Sequence, residues 1–254
     1  METVEPQAVT PPVVTPAARL LSRRVSAMLW MLLVTACYAG AMKLLHGGLA
    51  IDRPIDDLFF TRPCTARDVH ACWTFNKSAD VSTFFLHTIP EKFFVIAGVV
   101  AALVFIGSFF KRLPRLRPWR EHAGVALVAI AGVSSMVGTL KYFTGHYCPS
   151  QLAYFGGAVT HVPFDGIKAL CFPAGHPAPA FGLLVFCFSG LPRPWRRFGL
   201  FAGLGLGTLL SVIQFSRGEH FLSHALATLL TALFLGCAVK LFYVLREPHA
   251  PAHR

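Results

Sequence analysis

Apolar residues fall in long blocks along this chain, and six blocks are long enough to read as membrane-crossing helices: 27–45, 90–110, 122–143, 176–192, 198–216 and 221–245. Such a helix needs about 20 mostly apolar residues to cross roughly 30 Å of hydrocarbon. The fourth block is short and opens with Pro177 and Pro179, so its ends are the least defined. Gly203, Gly205 and Gly207 line the fifth at every second position. That is not the four-residue spacing of a dimerisation motif, and it reads as room for close helix packing. The expected fold class is all-α, a polytopic membrane protein with six transmembrane helices.

Basic residues set the expected orientation, because Lys and Arg gather in cytoplasmic loops. Arg19, Arg23 and Arg24 precede the first block, KRLPRLRPWR (111–120) follows the second, RPWRR (193–197) follows the fourth and Arg246 follows the sixth. Both termini then face the cytoplasm, and the loops 46–89, 144–175 and 217–220 face the other side. Residues 1–25 read as a disordered cytoplasmic tail, being Pro- and Thr-rich without apolar periodicity up to residue 18. The six-helix domain covers 26–246 and a second cytoplasmic tail 247–254. The first apolar block starts only after Arg23 and Arg24 and lacks a small-residue cleavage site, which argues against a cleaved signal peptide.

Composition agrees. Only 14% of the 254 residues are charged and 54% are hydrophobic, against about 25% charged in a soluble domain. The net charge of +11 fits basic cytoplasmic loops. There is no soluble basic domain studded with aromatics, so nucleic acid is not an expected partner. Of seven cysteines, Cys37, Cys187 and Cys237 fall inside apolar blocks, where a thiol is a small apolar side chain. Cys64 and Cys72 share the first outward loop, Cys148 and Cys171 the second. An even number in an oxidising compartment suggests two disulfides. Three pairings are open, of which the within-loop one has the shortest closures.

Three polar clusters then stand out, all at outward ends of apolar blocks. Lys141 ends the third block in KYFTGHYCP (141–149), His176 opens the fourth in CFPAGHP (171–177), and RGEHFLSH (217–224) places Arg217, Glu219, His220 and His224 at the turn into the sixth. Taken singly, an interfacial Lys or Arg is usually a snorkelling anchor and a His there a hydrogen-bonded interface residue. Their joint occurrence on one side points to one pocket. His220 and His224, four apart, share a helical face and can hydrogen-bond. Pro177 suits a first helical turn, which would put Gly175 and His176 at an anion-binding helix N-terminus. Lys141 and Arg217 add two cations, giving a phosphate pocket with acid–base capacity. Two His at this spacing also suit zinc. Glu219, the one nearby acid, points away from their shared face, so neither a metal nor another cofactor is expected.

In this order the clusters resemble the type 2 phosphatidic acid phosphatase superfamily. Its first motif is Lys, six residues, Arg-Pro; here Lys141 is followed by six residues and Cys148-Pro149. Its second is Pro-Ser-Gly-His; here Pro173-Ala174-Gly175-His176. Its third is Ser-Arg, five residues, His, three residues, Asp; here His220 and His224 hold the last two places. Cys148, Ala174 and His224 thus replace an Arg, a Ser and an Asp. Gln214 stands where the third-motif Arg belongs, with Arg217 three residues later. A third motif ending in HFLSH resembles a divergent bacterial branch.

The resemblance implies a metal-independent lipid phosphatase in a bacterial inner membrane, with its site on the periplasmic side. His220 would form a phosphohistidine, His224 would orient it, and His176 would act as acid and then base. Lys141, Arg217 and the backbone near Gly175 would bind the phosphate of lipid A, an isoprenoid pyrophosphate or a phosphatidyl phosphate. Trp73, Phe75, Phe84 and Phe85 of loop 46–89 read as an interfacial aromatic belt or as contacts to that lipid. A lipid-to-lipid phosphotransferase and a non-catalytic lipid-phosphate binder or transporter are the alternatives. Cys148 and Ala174 favour the binder; the presence of both His176 and His220 speaks against it.

Overall fold

A computed structural model describes residues 16–64, 67–160 and 169–246, with side chains from residue 21 onward. Among them the chain is helical, with no strands. Helix α1 is Pro16–His46, α2 Asp52–Asp57, α3 Asp80–Thr83, α4 Ile89–Gly107, α5 Arg120–Leu127, α6 Val133–Thr144, α7 Ala178–Gly182, α8 Val185–Phe188, α9 Arg193–Phe215 and α10 Leu222–Arg246. A π-helical turn, Phe84–Thr88, joins α3 to α4, and another, Val128–Gly132, joins α5 to α6. The expected tail over 1–25 overlaps α1 from Pro16 on; its remainder and the tail 247–254 lie outside the described residues.

Among the described residues five helical stretches are long and apolar enough to cross a membrane: Leu21–His46, Asp80–Gly107, Pro114–Thr144, Arg193–Phe215 and Leu222–Arg246. The chain is a multi-pass membrane protein. The block expected at 176–192 is not one long helix but the short apolar stretch Ala178–Phe188, formed by α7 and α8. It nonetheless joins the two ends of the bundle. A Cβ on Gly175 would lie 3.0 Å from Lys141 Nζ, and one on Gly190 would lie 2.8 Å from the Tyr243 ring and 3.2 Å from the Glu121 carboxylate. Other helices enclose this stretch, and its irregular backbone is tolerable because it lies in protein rather than against lipid.

Glycines make that enclosure possible. A Cβ on Gly199, Gly203 or Gly207 of α9 would meet Phe186, Leu184 or Phe181 at 2.3–2.9 Å, whereas Gly205 faces open space. The packing face therefore has four-residue spacing and includes Gly199, correcting the alternate-position reading of Gly203, Gly205 and Gly207. Each glycine lets two backbones approach as no larger residue would. The resulting core joins Phe181, Leu184, Val185 and Phe186 to Val133, Val137 and Ala129.

Helix α1 runs antiparallel along α10: Arg24 Nη2 donates to Leu245 O at 3.1 Å, and the Tyr38 and Thr231 hydroxyls pair at 2.9 Å. At the opposite end of the bundle, two segments build a cap over the helix ends. Phe60, Cys72, Trp73, Leu152, Phe155 and Phe221 form its core, and the Cys64–Cys72 disulfide closes one side. Trp73 is only 3% exposed, so it is a core residue of this cap, neither an interfacial anchor nor a lipid contact. Phe75, Phe84 and Phe85 are exposed.

Candidate active site

The site lies where the cap meets the ends of α6 and α10. Helix α6 carries Lys141 in its last turn and stops at Gly145, whose left-handed conformation (φ 54°) suits glycine and ends helices. Three connections bind this end to the segment around Gly175. The Cys171 N–H donates to His146 O at 2.9 Å, and the Thr144 hydroxyl donates to Phe172 O. The Cys148–Cys171 disulfide ties the two segments covalently. Helix α10 holds the other side: Ala174 N donates to His224 O at 3.1 Å, and Thr228 Oγ1 donates to Ala174 O at 2.7 Å. Lys141, Gly175 and His176 are thereby brought together.

The turn after α9 supplies Arg217. It depends on Gly218, which has φ +68°, and on which a Cβ would lie 2.3 Å from the Trp73 ring. The Gly218 carbonyl accepts from Ser150 N at 2.9 Å and the Ser216 carbonyl from Phe75 N at 3.0 Å. So held, the turn buries Arg217 to 1% exposure. Nη2 donates to Thr83 Oγ1 at 3.3 Å, while Nε and Nη1 have no partner in the protein. A buried charge without a partner costs several kcal/mol, about 3–5 when a partner is removed, and the two free donors have the chemistry to take an anion. Gln214, in the place of the family's Arg, is also buried with its amide unpartnered. Its backbone carbonyl accepts from Arg217 N and Glu219 N and shapes the turn.

His220 precedes α10 rather than lying on it, so the expected helical pairing with His224 does not form. The rings meet edge to face with centroids 5.8 Å apart. His220 Nδ1 instead lies 3.3 Å from Cys171 Sγ. His224 is fully buried with both ring nitrogens unpartnered. Asp52 holds α10 in register: its carboxylate accepts from Ser223 N at 2.9 Å and from Leu49 N at 2.7 Å. Glu219 turns away to an ion pair with Lys77 at 2.8 Å.

Burial holds the His220 imidazole well below its ordinary range, and Lys141, His224 and His176 lower it further, while the Cys171 backbone opposes them. His176, ahead of α7, is held down to about 3 by burial first and then by His87, Lys141 and Arg217. Both rings are neutral near pH 7. α7 is only five residues long, with Pro177 as its N-cap, so its dipole adds little to the site.

Sequence reasoning missed three members. His87 sits in the π-helical turn before α4, with its ring centroid 4.0 Å from that of His176; such turns recur at functional sites. Asp52 is one of three acids, with Asp56 and Asp57, just after the first apolar block. Cys171 was assigned to a disulfide, but not to the neighbourhood of His220. Cys171, His220 and His224 are the one group of potential metal ligands among the described residues, with ligand atoms within 4.8 Å of one another. In the disulfide, Cys171 has no thiolate to offer a metal.

An apolar groove reaches the site from the side. It holds about 590 Å³ and runs from Ala102, Val99 and Gly98 on α4 and Ile130 on the second π turn to Lys141, Gly175 and His176. Fold and site together define a multi-pass membrane protein with a cationic, histidine-rich pocket at one end of the bundle. Residues 122–247 match the PAP2 superfamily, and the chain belongs to that superfamily, whose members are generally phosphatases. No curated protein and no solved structure matches the chain. The matched region contains all three motif clusters; Asp52, Trp73 and His87 lie outside it.

Proposed function

We propose that the protein is a metal-independent phosphatase of a membrane lipid phosphate or pyrophosphate, working through a phosphohistidine on His220 at the periplasmic face. Six crossings with both termini cytoplasmic accompany this reading, with Ala178–Phe188 as the enclosed fourth. The observation that carries it is the groove, because an apolar tail lying in it brings its phosphate to Lys141 and His176.

The residues divide the reaction between them. Lys141 and the unpartnered Nε and Nη1 of Arg217 bind the phosphate oxygens and stabilise the charge that builds in transfer. His220 Nδ1 faces Cys171, which leaves Nε2 to attack phosphorus. His176 protonates the leaving oxygen and later deprotonates water. A bound phosphate offsets the cations that, after burial, hold His176 down, so its proton affinity rises when a leaving group needs a proton. His224 positions His220 through ring contact rather than a hydrogen bond.

The test is phosphate release from a panel of lipid phosphates by purified protein with EDTA present. Release by the wild type and its loss in His220→Ala is the expected result. Equal release by both, or loss of release with EDTA alone, overturns the reading.

A further inference from the structure

The environment of His220 is unusual for a nucleophile, because one of its ring nitrogens lies 3.3 Å from half of a disulfide. We propose that the Cys148–Cys171 bridge masks a metal site. Once a reductant opens the bridge, the Cys171 thiolate joins His220 and His224 to bind a zinc-class divalent ion, and phosphate transfer stops. The arrest, though not the metal binding, rests on the function proposed above.

Three observations support this site. The ligand atoms of Cys171, His220 and His224 already lie within 4.8 Å of one another, and Cys171 Sγ is 3.3 Å from His220 Nδ1. A tetrahedral zinc with Zn–S of 2.3 Å and Zn–N of 2.0–2.1 Å separates these donors by about 3.3–3.6 Å, so little movement is needed. His224 is fully buried with both ring nitrogens unpartnered, an arrangement that costs energy unless something accepts the free lone pair. Finally, the ligand types are right: one thiolate and two imidazoles suit zinc, with water in the fourth place.

The bridge decides whether the third ligand exists. A dithiol reductant supplies two electrons and two protons, leaving two thiols and becoming a disulfide itself. Metal binding then releases the Cys171 proton to water. A neutral imidazole has one lone pair. Metal on His220 Nδ1 drives the ring proton to Nε2, and the lone pair that attacks phosphorus is gone. In the oxidised protein two imidazoles remain, too few to hold the ion. An enzyme whose bridge has not formed would therefore be silenced by ambient zinc until oxidation is complete.

Cobalt(II) is the probe, because a thiolate ligand gives it a near-ultraviolet charge-transfer band that needs no activity to read. The full chain in detergent should show no band when oxidised. Cys148→Ser, which frees Cys171, and phosphine-reduced wild type should each bind one cobalt with the band. Cys148→Ser with Cys171→Ser should not. Micromolar zinc should lower phosphate release by Cys148→Ser at least tenfold, reversibly with EDTA, and leave oxidised wild type unchanged. Absence of the band from both Cys148→Ser and reduced wild type overturns the site, and each checks the other against misfolding. A band with undiminished phosphate release overturns the arrest and removes His220 as nucleophile. A band in a protein that releases no phosphate under any condition leaves the metal site standing and defeats the phosphatase reading instead.

Discussion

The two flanks of His220 are built on opposite plans. One holds Lys141, Arg217, His176 and His87, and opens into the apolar groove. The other is a closed stack of rings: His224 meets His146 at 5.0 Å, His146 meets His46 at 5.4 Å, and Phe172 lies against all three at 5.3–6.0 Å. The first flank carries positive charge with unpartnered donors, a chemistry that suits an anion. The second carries rings with no hydrogen bond from one to the next, and it walls off His220, the proposed nucleophile, on that side. A phosphoryl transfer needs both, because the attacking nitrogen must be unprotonated while its target is drawn in by cations.

The sharpest break in this comparison removes the residue between the flanks. His220→Ala should lower turnover at least about 10³-fold, since losing a covalent nucleophile leaves only binding and charge stabilisation. Single-turnover phosphate release would measure it. Activity within tenfold of wild type would move the nucleophile elsewhere.

Arg217→Ala tests the charged flank and should cost about 10²-fold in kcat, as one charged donor in such a site commonly does. Arg217→Lys should recover only part, because an ammonium lacks the planar fork of a guanidinium. If Arg217→Ala keeps half of the activity, the unpartnered donors at Nε and Nη1 do not face the phosphate. The groove comes next. Gly98 of α4 lies there with Ile130 across from it, 3.5 Å from where a Cβ would be. Gly98→Leu should lower kcat/KM about tenfold for a long-chain lipid phosphate and leave a short, water-soluble phosphate ester unaffected. Equal losses on both substrates would mean that the groove is structural.

The charged flank was legible in sequence and the ring flank mostly was not. Lys141, His176, Arg217 and His220 stand out because charge at the edge of an apolar block is costly, so its presence is informative wherever it occurs. The helical blocks were legible for the same reason of solvent. His146 and Asp52 gain their meaning only when α1, α2 and α10 come together, which no local spacing encodes. His220 and His224 show the limit most plainly: spacing of four implies a shared helical face, but α10 starts two residues after His220. Likewise the short stretch Ala178–Phe188 passes for a poor crossing helix until its enclosure by α9 and α10 is seen. Nothing local in the sequence marks Gly218 as obligatory, because the approach of Trp73 from a distant loop is what excludes any side chain there.

The smallest expected effect concerns protons, and it tests whether burial keeps His220 neutral. The pH profile of kcat/KM reports groups in the free enzyme. An imidazole of ordinary affinity, near 6.5, would be mostly protonated at pH 5 and would cost about thirtyfold in rate there. His220 is held well below that range by burial and by the nearby Lys141, so protonation should not reach it. After correction for the ionisation of the substrate phosphate, kcat/KM should not fall between pH 7 and pH 5, since the proton that His176 must take up can only raise it. Stability follows the same sign. A histidine depressed in the folded state binds fewer protons than its unfolded counterpart, so folding is intact above the ordinary imidazole range and weakens as pH falls through it. Recovery of full activity after return to pH 7 separates the two effects. A reversible thirtyfold fall with an apparent pKa near 6.5 would show that water reaches the nucleophile, and the contrast between the flanks would be lost.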